Sequence, residues 1–292
     1  MAQDILNSVV AEYLTKHSGK TVSVKKTSSI SGGCINDAGK IETNIGAFFV
    51  KWNNASMFPK MFETEAKGLK LLKQANCVNI PEVIGYGETD NISWIILEYI
   101  EPAAPGKNFW EEFAISLANQ HRVQSEYYGL DYNNYIGSLP QYNEQKDNWI
   151  EFFISQRLEK QIKLARDKNI INTNIIKKFA NLKHFLFEFF PKEEASLLHG
   201  DLWGGNYMVN SKGQACIFDP AVYFGHRIMD IGMSKLFGGF PAEFYDAYNN
   251  EYPLGKSWES SIPIANLYPL MVHVNLFGGS YLNSVERILK PF

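Results

Sequence analysis

The stretch that most restricts this chain is residues 199–220, HGDLWGGNYMVNSKGQACIFDP. Eight residues hold an Asp, a Trp, a Gly-Gly pair and an Asn, and a second Asp follows thirteen residues after the Asn. YMVN and ACIF read as short strands, with SKGQ as a turn in which Gly213 adopts positive φ. Antiparallel pairing of 207–210 with 215–218 brings Asn206 and Asp219 together across the strands, within roughly 5 Å at Cα. Asp201 lies five residues before Asn206, in a tight loop eased by Gly204 and Gly205. Three oxygen-bearing side chains then face one volume. An amide oxygen beside a carboxylate suits a hard cation such as Mg2+, which keeps places for phosphate and water. A second carboxylate, off the metal, is placed to accept a hydroxyl proton. Such a set suits phosphoryl transfer. A turn whose Asp and Asn merely satisfy backbone donors explains any one of these residues, but not all three at this spacing.

The rest of the chain narrows the setting. Its 292 residues allow one large domain or two lobes sharing a cleft. A content of 45% hydrophobic and 20% charged residues supports a sizeable core and excludes wholesale disorder. The net charge of −3 shows none of the basic excess of a nucleic-acid binder. No apolar run approaches the roughly 18 residues a membrane span needs. The opening MAQDILNSVVAEYLTK has an acid at position 4 and no long apolar core, so it does not read as a signal peptide. Cys34, Cys77 and Cys216 form no short-range framework and read as free thiols in a reducing compartment. The expectation is a cytoplasmic protein with no nucleic-acid or membrane partner.

Residues 4–15 read as an amphipathic helix with Ile5, Val9 and Tyr13 at helical spacing. TVSVKKTSSI, KIETN and AFFVKW read as strands, with the turn-rich SGGCINDAG between the first two. MFETEAKGLKLLK reads as a helix with a stripe of Phe62, Ala66, Leu69 and Leu72. VNIPEVIGYGE is a Pro- and Gly-marked passage, and SWIILEYI after it is a strand. EPAAPGKN breaks regular structure, and helices are expected beyond it at 108–123, 148–168, 173–190, 226–238, 241–251 and 262–289. The fold class is therefore α+β: a small β-rich N-lobe, residues 1–97, and a larger, mostly helical C-lobe, residues 98–292, carrying the hairpin.

HGDLWGGN resembles the catalytic loop of the aminoglycoside-phosphotransferase and protein-kinase-like superfamily. The Trp after HGDL and the run DPAVYFGHRIMDIGMSKLFGGF narrow the resemblance to the fructosamine kinase, or ketosamine-3-kinase, family. GGCIN, FFVKWN, MFETEAKGL, NYIGSLPQ, WIEFFISQRL and NLFGGSYL extend it over nearly the whole chain. The resemblance implies a two-lobed protein-kinase-like fold, ATP and Mg2+ as cofactors, and phosphorylation of the C3 hydroxyl of a ketosamine. The product then decomposes to free the amine, a deglycation repair.

Within that frame Asp201 is the expected proton acceptor, and Asn206 and Asp219 the metal ligands. Lys51, at the end of AFFVK, supplies a fixed cation to the α- and β-phosphates if a carboxylate holds it. Glu65 borders the buried stripe of its helix and needs a partner there. Glu63 points about 160° away, toward solvent. The loop at Gly32, Gly33 and Cys34 covers the phosphates by resemblance, and a redox-sensitive thiol is expected at Cys34, in a monomer or homodimer. Adenine is expected on the carbonyl of Glu98 and the N–H of Ile100. Trp203 and His273 are candidates to touch the acceptor. His199 supports the loop, and Asp230 braces its backbone. The family's usual acid two places before Asp230 is here Ile228, a departure with a bearing on acceptor preference. A kinase for aminoglycosides, choline or simple sugars is the neighbouring alternative, and a nucleotide-binding pseudokinase the more distant one.

Overall fold

The computed structural model describes residues 2–30, 35–256 and 258–292. Helix α1 (Ala2–Ser18) leads into strands β1 (Val24–Ser29), β2 (Asp37–Thr43) and β3 (Gly46–Asn54). Helix α2 (Met61–Ala75) follows, and then β4 (Val83–Thr89) and β5 (Ile92–Glu98). The five strands form one antiparallel sheet in the order β1-β2-β3-β5-β4. Strand alternation divides its faces. Ile41, Val50, Trp94 and Ile96 pack beneath α1, whereas Ile95 and Leu97 join the core that contains α2. Lys51 lies on this second face, paired with Ile95 across the strands. The α1 residues that seal the first face are Leu6, Val10 and Leu14. Ile5, Val9 and Tyr13, at the expected spacing, flank that line half-buried, one residue out of register.

The connector from Tyr99 to Asn108 is extended and fastened to the hairpin: the Ala103 N–H donates to Val209 O at 3.1 Å, and the Gly106 N–H to Gly213 O at 2.9 Å. Beyond it run α3 (Phe109–His121), β6 (Gln124–Ser125), β7 (Asn134–Ile136) and β8 (Leu139–Gln141). Then come α4 (Trp149–Phe152), a π-helical turn (Phe153–Leu158), α5 (Glu159–Asp167), α6 (Thr173–Leu182) and α7 (Leu186–Phe189). Strands β9 (Ala195–Leu198), β10 (Tyr207–Val209), β11 (Ala215–Ile217) and β12 (Tyr223–Gly225) precede α8 (Ile228–Ser234) and α9 (Ala242–Glu251). Helices α10 (Ser261–Ala265), α11 (Leu267–Phe277) and α12 (Ser280–Ile288) close the chain.

Three of the expected helices are therefore divided, 148–168 by the π-helical turn. The segment 262–289 breaks at Asn266, whose amide donates to Gly232 O at 2.9 Å, and at Gly278, where φ is +84°. The segment 173–190 passes through a 3-10 turn at Lys183–Phe185. One continuous apolar core runs from α2 through the helical part, while the cluster under α1 is separate. Among the described residues no helix is long and apolar enough to cross a membrane.

Candidate active site

Strands β9 and β12 pair antiparallel, with Leu198 opposite Tyr223. The chain between them, 199–222, is thus held at both ends and projects the β10–β11 hairpin. The hairpin register pairs Tyr207 with Ile217 and Val209 with Ala215. Phe218 N–H donates to Asn206 O at 3.1 Å, so Asn206 faces Phe218, and Asp219 is one residue further along than direct opposition would put it. Asp219 takes a left-handed φ of +55°, which turns the chain out of the strand there. In the loop before the hairpin the left-handed position is Gly200, at φ +83°; Gly204 and Gly205 have no positive φ. A Cβ on Gly200 would lie 2.0 Å from Ala221 O.

The Lys51 ammonium is buried and meets two carboxylates. It stands 2.9 and 2.8 Å from the two Glu65 oxygens and 2.8 Å from Asp219 Oδ1. Burial by itself would lower the lysine, but Asp219 and Glu65 outweigh it and hold it well above its ordinary value. Glu63 pairs instead with Lys67 on the surface, at 2.7 Å.

Asn206 donates its amide to the Asp201 carbonyl at 2.9 Å and to Asp201 Oδ2 at 3.0 Å. Burial pushes the Asp201 carboxyl up to about 7; the amide opposes this, and the Asp219 and Asp230 carboxylates add to it. His199 is fully buried, and its burial lowers the imidazole below the usual range. Its Nδ1 accepts the Asp201 N–H at 3.3 Å, so Nε2 carries the proton and donates to Phe218 O at 2.9 Å. One ring thereby ties the 199–206 loop to the residue before Asp219. Asp230, also buried, accepts the His199 N–H at 2.7 Å and the Gly200 N–H at 2.9 Å. His121 Nε2 lies 3.2 Å from it, and Tyr248 Oη 2.7 Å from His121 Nδ1.

These groups open on a cleft of about 1120 Å³ lined by Lys51, Glu65, Asp201, Asn206 and Asp219. Glu98 and Ile100 line it too, and among the described residues the Ile100 N–H donates no hydrogen bond. Gly32, Gly33 and Cys34 lie outside the described residues. Trp203 and His273 also line the cleft. The His273 Nδ1 is 2.8 Å from Pro269 O, so Nδ1 carries the proton there; burial keeps the ring's pKa low. Ile228 does not reach the cleft; at 2% exposure it is part of the core.

The donor set can be tested against a cation. Among the described residues no three His, Cys, Asp or Glu side chains gather closely enough to hold a metal alone. Asn206 Oδ1 and Asp219 Oδ2 accept no hydrogen bond among the described residues, while each group's other polar atom is engaged. Among the described residues one ammonium, Lys51, shares the cleft with four carboxyl groups, Glu65, Glu98, Asp201 and Asp219, and is bonded to two of them. Two free oxygens in an acid-rich cleft fit a hard cation whose remaining ligands are water and phosphate.

Several cleft residues were not singled out by sequence reasoning. Phe237, Phe277 and Tyr281 gather around Trp203 and His273. Their only signal was membership of the quoted runs ending in LFGGF and NLFGGSYL. Asn134 lines the cleft from NYIGSLPQ and donates to Val222 O at 2.8 Å.

Fold and cleft together define a protein-kinase-like phosphotransferase. The choline kinase LicA from Streptococcus pneumoniae shares the fold at a TM-score of 0.64 and 16% identity, over 98% of each chain. The family profile for fructosamine kinase matches residues 6–292, and the chain belongs to that family, phosphotransferases with an alcohol group as acceptor. A "Probable ketoamine kinase" of Enterococcus faecium is 38% identical over 91% of this chain and 95% of its own. The "Protein-ribulosamine 3-kinase, chloroplastic" of Arabidopsis thaliana is 37% identical over 94% of this chain and 84% of its own. Among solved structures, a "Putative fructosamine-3-kinase" from Haemophilus somnus has a TM-score of 0.87 at 28% identity, covering 97% of this chain and 96% of that one.

Proposed function

We propose that the protein transfers the γ-phosphoryl group of ATP to the C3 hydroxyl of a ketosamine of the fructosamine or ribulosamine type. The observation that carries this reading is the half-buried Asp201 carboxyl, held by the Asn206 amide in the same cleft as the Lys51–Asp219 pair. The names of the relatives support the acceptor class.

In this mechanism Asp201 accepts a hydrogen bond from the acceptor hydroxyl and takes its proton late in transfer, as the new P–O bond forms and the bond to the β-phosphate breaks, leaving ADP. Lys51, steadied by Glu65, neutralises the α- and β-phosphates. Asn206 and Asp219 would hold Mg2+, which supplies charge neutralisation at the phosphate oxygens when bound. The free Ile100 N–H and the neighbouring Glu98 carbonyl take the adenine edge. Because the transition state is loose, positioning and electrostatics supply most of the rate. We place the division between the lobes at residues 97 and 98. Transfer to the 3-hydroxyl destabilises the ketosamine, which then releases the amine, so the activity serves deglycation.

The test is a turnover assay with ribulose-lysine and fructose-lysine side by side, with ATP and Mg2+, against choline and an aminoglycoside. Ketosamine-dependent ADP formation with phosphate on C3 is expected. Nucleotide binding without transfer, or preference for choline or the aminoglycoside, overturns the reading.

A further inference from the structure

Helix α2 carries Glu65 and, three residues later on the same face, Gly68. Gly68 is buried in the helix interior and has no positive φ. A glycine in such a place weakens the helix relative to alanine, so backbone conformation gives no reason for it. The reason is space. A Cβ on Gly68 would lie 3.1 Å from Val222 Cγ2, 3.5 Å from Val222 Cβ and 3.8 Å from Pro220 Cγ. Carbon atoms pack at about 3.5–4.0 Å, so the first of these contacts would be too close by about 0.5 Å.

Val222 cannot give that distance. It is fully buried. Its carbonyl accepts the Asn134 amide at 2.8 Å, and the Ala221 carbonyl accepts the Gln141 amide at 2.9 Å. The Ala221 N–H donates to His199 O at 2.9 Å, and Tyr223 pairs with Leu198 in the sheet. The segment just past Asp219 is thus held on several sides, and α2 is the part that would move. Helix α2 is in turn seated against the chain around β7. The Tyr135 hydroxyl donates to Pro59 O at 3.0 Å, ahead of the helix, and Lys67 Nζ lies 5.4 Å from the centre of the Tyr132 ring.

The consequence falls on Lys51. Its ammonium meets Glu65 from α2 and Asp219 from the hairpin's exit, each at 2.8 Å. Both carboxylates reach the one ammonium only while α2 and residues 219–222 stay in contact. We propose that Gly68 is a positioning residue: its missing side chain sets the distance between α2 and the segment after Asp219, and through it the place of Lys51 toward the nucleotide phosphates. The inference rests on the phosphotransfer reading of the same cleft.

The experiment compares the parent, Gly68→Ala, Val222→Ala and the double variant, with ribulose-lysine, ATP and Mg2+, beside thermal melts and calorimetric titration with ATP. For Gly68→Ala, kcat/KM for ATP is expected to fall about tenfold, because a misplacement of about 1 Å costs up to about 100-fold. The KM for ribulose-lysine should stay unchanged. The melting temperature should stay within about 3 °C of the parent's, because the helix preference of alanine offsets the displacement. Val222→Ala leaves a cavity and should lower the melting temperature. Added to Gly68→Ala, it should return kcat/KM for ATP to within about twofold of Val222→Ala alone, a coupling of the kind shown by residues in contact. The calorimetric Kd for ATP, measured without acceptor, should rise in Gly68→Ala and recover in the double variant. A glycine that only packs would not give recovery through a destabilising change.

Unchanged kcat/KM for ATP in Gly68→Ala, or no recovery in the double variant, overturns the inference while the phosphotransfer reading stands. Should Gly68→Ala fold poorly, the double variant is read against Val222→Ala, and a lower kcat/KM for ATP in the double variant overturns the inference. A parent that phosphorylates neither ribulose-lysine nor fructose-lysine removes the phosphotransfer reading, and this inference with it.

Discussion

Lys51 and Asp219 are 168 residues apart in the chain and 2.8 Å apart in the fold, with Glu65 on the other side of the ammonium. The contact joins the sheet to the hairpin's exit and leaves two acids dependent on one cation. Lys51→Met strands both. Losing one partner of a buried ion pair costs about 3–5 kcal/mol, so a clear fall in melting temperature is expected together with loss of turnover. Adding Glu65→Gln removes one stranded charge. The double variant should regain much of the stability and none of the activity, as thermal melts beside ADP-release assays would show. Equal melting of both variants would place the stability elsewhere.

Asp201 gives a pH signature. Its carboxyl is pushed up to about 7, and the proposed role needs the ionised form. The acceptor kcat/KM should therefore rise with pH through about 7 and level off above it. Stability runs the other way. A carboxyl raised in the folded state contributes stability that is fully present below its unfolded value of about 3.9 and is lost as pH rises through about 7. Asp201→Asn should lower turnover at least about 100-fold with nucleotide affinity nearly intact. Its melting point should match the parent's in acid and exceed it above neutrality. Near-normal turnover would refute the assignment.

Much of the site is legible in the chain because it rests on local chemistry. Asp201, Asn206 and Asp219 sit in one segment, and the choice of Glu65 over Glu63 follows from helical period. What escaped was set by packing across the fold. Strand β4 lies in the passage that its Pro and Gly residues left without an assigned element, yet those glycines exist for aromatic rings: a Cβ on Gly85 would lie 2.2 Å from Tyr13, and one on Gly87 2.7 Å from Trp94. The α1 stripe was misplaced by one residue because its two candidate lines are both apolar, and only the sheet decides between them. Strands β6, β9 and β12, of two to four residues, are too short to show alternation. Phe237 gave no signal of its own, because its surroundings in the cleft depend on α11 and α12 arriving beside it.

The loop geometry separates two glycines that look alike in sequence. Gly200 combines a left-handed backbone with Ala221 O at 2.0 Å from any added Cβ, and its N–H is held by Asp230. Gly204 has open space around it. Gly200→Ala should displace the 199–201 backbone from Asp230 and β12, lowering the melting temperature by more than about 5 °C, as a loss of roughly 2 kcal/mol does in a chain of this size. Gly204→Ala should melt within about 1 °C of the parent. Similar melts for the two would mean that the loop does not need the Gly200 conformation.

Arg157 poses a different electrostatic problem. It is fully buried on the π-helical turn and has no acidic partner among the described residues. Its guanidinium donates to the Tyr142 and Gln156 carbonyls and to Asn143 Oδ1, and lies over the rings of Tyr223, Phe152 and Tyr268 at 4.0, 4.6 and 5.2 Å. From Asn143 the bonds run on to Asn134 and Gln141, and from these to the carbonyls of Val222 and Ala221, just past Asp219. A buried cation without a counter-charge is tolerable only where a planar, weakly hydrated group matches the carbonyls and rings around it. Arg157→Lys keeps the charge and loses that match, so it should cost about 3 kcal/mol, or roughly 6–12 °C. Arg157→Met discards the charge along with its bonds and should melt higher than the lysine variant, even though lysine is the nominally conservative change. A lysine variant as stable as the parent would show that charge alone, rather than guanidinium geometry, satisfies this pocket.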